Sequence, residues 1–255
     1  MKIAFVLSGG GARGIAHLGF IDAMKDIGIT PDIISGTSAG AIVGGFYANG
    51  YSSKETINII NKTNLLKFVR FSFSGGLLSM QGFKNIYEEY FKIKDFESLP
   101  IELKVVATDI HDGKEQCFYS GDIVNPIMAS STIPTLFEPT KINGKNYIDG
   151  GVVNNFPVEY VLDKNNIVFG QYANPWLEKD NIQSYKELIE RTFHLAIHAS
   201  NRQRMEKCHY FQEPKELANF TMFDITQANK IYKIGYNETI KNAKLIEEKL
   251  KVVTG

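Results

Sequence analysis

The pentapeptide Gly36-Thr37-Ser38-Ala39-Gly40 constrains the fold of this chain more than any other feature of the sequence. Gly-x-Ser-x-Gly is typical of a nucleophile elbow, a tight turn from a strand into a helix that exposes a serine hydroxyl. The two glycines are needed because a residue with a Cβ atom would clash in so sharp a turn. Residues 32–35 have the pattern of a buried strand, and residues 39–49 that of a buried helix. By itself, the pentapeptide fits equally well a turn of small residues that only packs against its neighbours.

A second strand, turn and helix precede the elbow. Residues 2–7 form a short apolar run, the glycine turn Gly9-Gly10-Gly11-Ala12-Arg13-Gly14 follows, and residues 12–27 have helical spacing that ends at Gly28. Repetition at this spacing predicts an α/β fold whose mainly parallel sheet is covered by helices on both faces. Because no linker interrupts the pattern, we expect a single domain over residues 1–255.

The rest of the chain continues the alternation of helices and strands. Residues 103–109 and 115–120 are predicted to form a hairpin through Asp112-Gly113. The remaining predicted elements are helices over 53–68 (with Ser53 as N-cap), 83–91, 122–130, 157–163, 182–208 and 227–250, and strands over 146–148, 166–172 and 220–225.

The glycine turn also matches the dinucleotide-binding fingerprint Gly-x-Gly-x-x-Gly. That interpretation needs an acidic residue at the carboxyl end of the second strand, where this chain has Ser35 and Gly36, while Asp32 lies at the strand's beginning. A P-loop is excluded as well, because no Lys-Ser/Thr pair follows the glycines. Backbone N–H groups at the start of a helix remain, and they could bind an anion such as the tetrahedral oxyanion of acyl transfer. The alternative is a tight turn without a ligand.

A serine hydroxyl needs a base to become a nucleophile, and no histidine of this chain has the right context. In α/β-hydrolases several βα units precede the elbow, whereas here only one does. The pair His194 and His198 lacks the acid and the third ligand of a zinc site. No local catalytic signature surrounds any of the histidines, which are His17, His111, His194, His198 and His209.

Asp149 is the better candidate for the base. It ends a short predicted strand, and active sites of open α/β sheets gather at that carboxyl edge. Gly150 and Gly151 leave space for the serine loop to come close. A partly desolvated carboxylate has a raised pKa and could take the proton of Ser38 directly. A turn aspartate in an Asp-Gly hairpin is the alternative, and spacing alone does not decide between the two.

These blocks resemble the patatin-like phospholipase family in their order and spacing. The matching segments are Gly9 to Gly14, Gly36 to Gly40, Ala129-Ser130-Ser131-Thr132-Ile133-Pro134 and Asp149-Gly150-Gly151-Val152-Val153-Asn154-Asn155. The resemblance spans essentially the whole chain and implies a three-layer α/β/α sandwich with a Ser38–Asp149 dyad and no histidine. It also implies that the glycine turn, residues 9–14, forms the oxyanion hole. The donors implied are amides around Gly10, Gly11 and Ala12, and Arg13 is expected to stabilise the loop.

The composition limits the partners of the chain. Lys+Arg and Asp+Glu are each 28, so the net charge is zero and no global attraction to nucleic acid or anionic membranes is expected. Cys117 and Cys208 have no metal spacing and are too few for a disulfide framework, which predicts reduced, buried thiols in a cytoplasmic protein. We expect no transmembrane segment, no metal and no cofactor, and only transient, hydrophobic contact with a membrane surface.

The function expected from these motifs is that of a serine acyl hydrolase, a lipid esterase or A-type phospholipase. Its substrate would be a lipid ester or phospholipid, attacked through an acyl-enzyme on Ser38. The apolar residues of 71–83 could line an acyl channel or return to the core. An acyltransferase or thioesterase acting on carrier-bound acyl groups stays open, as does a non-catalytic lipid-binding regulator. Intact Ser38 and Asp149 argue against the regulator, and the oligomeric state cannot be derived from the sequence.

Overall fold

The computed structural model describes residues 1–62, 70–71, 78–176, 182, 188, 191–192, 195 and 201–254. Most of the predicted helix 182–208, including His194 and His198, lies outside the described residues, although residues 201–205 are helical. The same is true of the later part of the predicted helix 53–68.

An eight-stranded sheet forms the centre of the molecule. The strands in chain order are β1 (Lys2–Leu7), β2 (Ile33–Thr37), β3 (Arg70–Phe71), β4 (Leu78–Ser79), β5 (Glu102–Asp109), β6 (Glu115–Phe118), β7 (Thr140–Ile142), β8 (Lys145–Asp149), β9 (Asn166–Gln171) and β10 (Tyr210–Gln212). The order in the sheet is β10-β9-β1-β2-β5-β8-β7, with β6 paired to β5, while β3 and β4 form a separate pair. Strands β10, β9, β1, β2 and β5 pair in parallel, whereas β6, β7 and β8 are antiparallel.

Helices lie between the strands, as the alternation predicted. They are α1 (Ala16–Asp26), α2 (Ala39–Ala48), α3 (Ser53–Lys62), α4 (Gln81–Tyr90), α5 (Val124–Ser130), α6 (Ala228–Lys241) and α7 (Ala243–Thr254). In the part of the chain that the structure describes, none is long and apolar enough to cross a bilayer.

Alternate residues of β1 pack into two different cores. Phe5 and Leu7 belong to the larger cluster, in which Phe5 packs against Phe20 of α1 with ring centroids 5.1 Å apart and ring planes tilted by 57°. Ala4 and Val6 belong to a second cluster on the opposite face. Because side chains of a strand alternate between faces, the sheet is buried on both sides. The predicted α/β fold, with helices flanking a mainly parallel sheet, is confirmed.

Several predicted elements differ from the structure for local reasons. The predicted strand 220–225 is wrong: Thr221 donates its N–H to Asp224 Oδ2 at 2.6 Å, which folds the segment into a turn. Strand β10 lies earlier, at Tyr210–Gln212. The predicted helix 227–250 is two helices, because the Asn242 side chain donates to the Glu238 carbonyl at 2.8 Å and competes with continuation of α6.

The other differences concern helix ends. Ser53 is the first residue of α3 rather than its N-cap, since Ser52 and Glu55 form the capping hydrogen bonds. The predicted helix 12–27 begins as a 3₁₀ turn, Gly11–Ile15, and the predicted helix 157–163 is only the 3₁₀ turn Val158–Val161.

The register of the sheet brings the distant motifs to one edge. Leu7, which precedes the glycine turn, pairs with Gly36, which precedes the elbow serine. Thr37 pairs with Val106, and Ala107 pairs with Asp149. The ends of β1 and β2 are therefore adjacent, and the end of β8 lies one strand further along the sheet, across β5.

Candidate active site

The elbow has the geometry that its two glycines predict. Ser38 lies between β2 and α2 with φ 52° and ψ −118°, a region that non-glycine residues avoid. A Cβ atom on Gly36 would lie 2.6 Å from the Gly40 carbonyl oxygen, and one on Gly40 would lie 2.1 Å from that of Leu7. Only glycine fits at these two positions. The tight turn that they allow places Ser38 at the carboxyl end of β2, beside the carboxyl end of β1.

Ser38 and Asp149 meet across the end of the sheet. Ser38 Oγ donates a hydrogen bond to Asp149 Oδ2 at 2.7 Å, and the Gly151 N–H donates to Asp149 Oδ1 at 2.8 Å. The two side chains are 8% and 4% exposed. The Asp149 main chain is fixed on both sides, since its N–H donates to the Thr132 carbonyl at 2.8 Å and its carbonyl accepts from Thr108 Oγ1 at 3.0 Å.

The carboxyl group of Asp149 is an unusually strong base for an aspartate. Burial raises its pKa from the ordinary value of 3.8 to about 6, because desolvation of the carboxylate outweighs the hydrogen bonds from Ser38 and Gly151, which lower the pKa. The raised pKa expected from the sequence is confirmed, and its cause is burial. A group with this pKa is ionised at neutral pH and can exchange a proton with a neighbouring hydroxyl.

No described histidine forms a hydrogen bond with Ser38 Oγ, which donates to Asp149 instead. The ring nitrogens of His17 lie 2.8 Å from the Ser8 carbonyl oxygen and 3.0 Å from Gln171 Oε1, and burial lowers its pKa to about 4. His209 Nδ1 accepts a hydrogen bond from the Val168 N–H at 3.0 Å. Within the described ranges, no group of three His, Cys, Asp or Glu side chains could bind a metal ion.

The glycine turn packs directly against the elbow. A Cβ atom on Gly14 would lie 2.4 Å from Ala39 Cβ, and one on Gly9 would lie 3.1 Å from Ser38 Cβ. Arg13 is buried and its Nη1 donates to the Phe220 carbonyl at 3.5 Å, which ties the turn to the segment before α6.

Some N–H groups of the glycine turn already donate to a carbonyl oxygen, and others do not. The Gly9 N–H donates to the Asn155 carbonyl at 3.2 Å, and the Ala12 N–H donates to the Met222 carbonyl at 2.9 Å. The N–H groups of Gly10 and Gly11 have no acceptor among the described residues. Of the amides expected from the sequence around Gly10, Gly11 and Ala12, that of Ala12 already has a partner, whereas those of Gly10 and Gly11 have none among the described residues.

Three supporting residues were not assigned roles from the sequence. Ser130 Oγ accepts a hydrogen bond from the Ser38 N–H at 2.8 Å. The side chain of Asn155 lies between the glycine turn and the turn after Asp149, since Cβ atoms on Gly9 and Gly151 would lie 2.3 and 2.8 Å from its Oδ1. Ser8 Oγ accepts from the Ala173 N–H at 2.8 Å and donates to the Gly9 carbonyl at 2.8 Å. Ser130 and Asn155 lie within the segments 129–134 and 149–155 that resemble the patatin-like family, and this position could have indicated a role for them.

The apolar residues of 71–83 return to the core where the structure describes them. Met80 is buried in the larger cluster, and Phe83 packs edge-on against Phe137 with ring centroids 5.8 Å apart. Phe73 and Leu77 lie outside the described residues. Cys117 is buried and Cys208 is half-buried, and neither forms a disulfide.

Comparison with known proteins gives matches over most of the chain. The family model described as patatin-like phospholipase matches residues 5–162, which is more than half of the sequence. Lysophospholipase NTE1 of Kluyveromyces lactis is 28% identical over 272 residues, covering 92% of this chain and 18% of that protein. An uncharacterised NTE family protein of Mycobacterium tuberculosis is 31% identical over 167 residues, covering 64% of this chain and 46% of that protein. The human patatin-like phospholipase domain-containing protein 6 is 26% identical over 277 residues, covering 92% and 20%.

A solved structure supports the fold. VipD from Legionella pneumophila matches with a TM-score of 0.63 at 17% identity, covering 95% of this chain and 67% of that one. The chain spans only 18% to 46% of the length of the curated relatives named above.

Proposed function

This chain belongs to the patatin-like phospholipase family, and from that premise we propose that it is a serine acyl hydrolase for lipid esters, with Ser38 as nucleophile and Asp149 as base. The proposal rests on the 2.7 Å hydrogen bond from Ser38 Oγ to Asp149 Oδ2, made between two buried side chains. A carboxylate with a pKa of about 6 is ionised at neutral pH, yet basic enough to take the proton of an attacking serine.

The reaction has two halves that use the same pair. Ser38 Oγ attacks the carbonyl carbon of the ester while its proton passes to Asp149 Oδ2. The tetrahedral intermediate collapses, the C–O bond to the leaving alcohol breaks, and Asp149 gives the proton to that alcohol. Water then attacks the acyl-Ser38 ester and loses a proton to Asp149, which returns it to Ser38 as the carboxylic acid leaves.

The negative charge that develops on the carbonyl oxygen is stabilised by the glycine turn. Gly10 and Gly11 supply the donors, because the amides of Gly9 and Ala12 already have carbonyl partners. Removing one donor of this kind slows acyl transfer by an amount equivalent to roughly 3 kcal/mol. The amino terminus of α2, which begins directly after Ser38, adds a favourable dipole at the same place.

The substrate class follows from the names of the relatives. Two are named as a lysophospholipase and a patatin-like phospholipase domain-containing protein, so a lysophospholipid or other lipid ester is the proposed substrate. We place the enzyme in the cytoplasm with transient contact at a membrane surface. Acyl transfer to an acceptor other than water would use the same acyl-enzyme, so measuring the fate of the acyl group separates the two functions.

Covalent labelling with a fluorophosphonate probe is the first test. Wild type should be labelled on Ser38, as located by mass spectrometry of the modified peptide. Ser38→Ala and Asp149→Asn should not be labelled, whereas Ser98→Ala, which changes an exposed serine, should behave as wild type. Release of free fatty acid from a lysophospholipid, a diacyl phospholipid and a triacylglycerol then identifies the substrate. Labelling of Asp149→Asn at the wild-type rate would rule out the dyad.

A further inference from the structure

The carboxyl end of α5 carries a serine that the proposed reaction does not use. Ser130 is fully buried, with an exposed fraction of 0%. Its Oγ lies 2.8 Å from the Ser38 nitrogen and 2.6 Å from the Val106 carbonyl oxygen. This buried hydroxyl therefore forms one hydrogen bond to the main chain of the elbow and one to the main chain of β5.

The direction of the two hydrogen bonds is fixed by chemistry. The Val106 carbonyl can only accept, so the single proton of the Ser130 hydroxyl is directed to it. The lone pairs of Oγ then face the Ser38 N–H, which donates to them. Thr37 of β2 still pairs with Val106 of β5, but the chain turns at the next residue. The Ser130 hydroxyl therefore bridges the Ser38 N–H and the β5 carbonyl where the elbow leaves the sheet.

The same helix end also contacts the other half of the dyad. The Thr132 carbonyl, two residues after Ser130, accepts the Asp149 N–H at 2.8 Å. Thr132 is itself held by its Oγ1, which lies 2.8 Å from Thr140 Oγ1 and donates to the Met128 carbonyl at 2.8 Å. Ser130 and Thr132 thus hydrogen-bond the main chains of Ser38 and Asp149, respectively.

We propose that Ser130 is a positioning residue, whose hydroxyl holds the main chain of Ser38 in the left-handed conformation that keeps Ser38 Oγ within hydrogen-bond distance of Asp149. This inference rests on the proposed function. Without the Ser130 hydroxyl, the buried Ser38 N–H and the Val106 carbonyl lose their shared partner, and the strained elbow relaxes toward ordinary dihedral angles. A displacement of about 1 Å at a nucleophile lowers the rate by about 100-fold.

The neighbouring residue offers a matched control. Ser131 Oγ donates to the Ile127 carbonyl at 2.9 Å, within its own helix turn, and forms no hydrogen bond with Ser38 or Asp149. Ser130→Ala and Ser131→Ala remove the same atom from adjacent positions. Ser130→Cys is a second test variant, because a thiol fills nearly the same volume but is a weak donor and acceptor.

The assays are fluorophosphonate labelling and hydrolysis of a soluble p-nitrophenyl ester, each measured against pH, with thermal unfolding of every variant. For Ser130→Ala and Ser130→Cys we expect kcat and the labelling rate to fall about 100-fold with KM nearly unchanged. The midpoint of the acid limb should also move upward, because the hydrogen bond from Ser38 lowers the pKa of Asp149 and is lost when the elbow relaxes. Ser131→Ala should keep the wild-type rate and midpoint.

A purely structural role predicts a different result. It lowers the unfolding temperature of Ser130→Ala while the folded protein keeps the wild-type kcat and pH profile, and that outcome overturns the inference. If Ser130→Ala does not fold, Ser130→Cys decides by the same criteria. Labelled wild type together with unchanged Ser130 variants refutes only the positioning role. Folded wild type that is not labelled at all overturns the proposed function and this inference with it.

Discussion

Replacing Asp149 by asparagine should stabilise the fold at neutral and alkaline pH. The folded-state pKa of Asp149, about 6, lies above its ordinary value of 3.8, so the folded chain holds the proton more tightly than the unfolded chain. Stability therefore falls as the pH rises from about 4 to about 6, and the full loss is present above that range. Asparagine at this position has no charge to desolvate, so the variant does not lose stability over this pH range.

The size of the effect follows from the two pKa values. They differ by about two, and each unit of difference corresponds to about 1.4 kcal/mol, which gives an upper limit of about 3 kcal/mol. The side-chain oxygen of asparagine can still accept the Gly151 N–H. The side-chain nitrogen then faces Ser38 Oγ and cannot accept its proton, as the carboxylate oxygen does. We therefore expect Asp149→Asn to be more stable than wild type by about 1–3 kcal/mol at pH 8, and by nearly nothing at pH 4.

Urea unfolding at pH 4, 5, 6, 7 and 8 measures this difference directly. Glu247→Gln is the control, because it removes one negative charge from an exposed position on α7 and should change stability by less than about 0.5 kcal/mol. A constant difference between Asp149→Asn and wild type across this pH range would refute the reasoning, since it would mean that the buried carboxylate does not titrate between pH 4 and 6. A confirmed gain would mean that the base is kept at the expense of stability.

Two further predictions concern activity. The rate of fluorophosphonate labelling of wild type should rise with pH to a plateau with a midpoint near 6, because the ionised form of Asp149 is the base; a flat profile between pH 5 and 7 would contradict this. Gly11→Ala should fold poorly or lose most labelling, because Gly11 has φ 57° and a Cβ atom there would lie 2.5 Å from the Met222 carbonyl oxygen. Gly28→Ala is its control, since Gly28 has φ 81° but nothing within 4 Å of the added atom, so it should lose about 1 kcal/mol of stability and keep its labelling rate.

The parts of the site that could be predicted from the sequence are those fixed by local geometry. Gly36 and Gly40 are required by contacts within a few residues or across one strand, so the elbow is encoded in five consecutive positions. The hydrogen bonds at the rings of His17 and His209, by contrast, involve Gln171 and Val168, which are 154 and 41 positions away in the sequence, so local patterns do not predict them. The alternation of strands and helices then brought β1 and β2 side by side.

The parts that could not be predicted depend on contacts between distant segments. Met222 lies 210 positions after Ala12, and no pattern near it indicates that its carbonyl accepts the Ala12 N–H. The sequence predicts a strand over 220–225, whereas the segment folds into the turn formed by Thr221 and Asp224. Which glycine-turn amides already have a carbonyl partner could therefore be decided only from tertiary structure.

A catalytic dyad must orient its base toward the nucleophile without the third side chain that a triad uses for this purpose. In the triad, the third residue orients a mobile imidazole toward the nucleophile. Asp149 instead has a short side chain whose second oxygen is bound by the Gly151 N–H, and its main chain is held by Thr132 and Thr108. On the proposed assignment, the precision of the pair comes from hydrogen bonds to the main chain at the end of the sheet. Catalysis should then be more sensitive to substitution of Ser130 or Thr132 than to substitution of His17, His111 or His209.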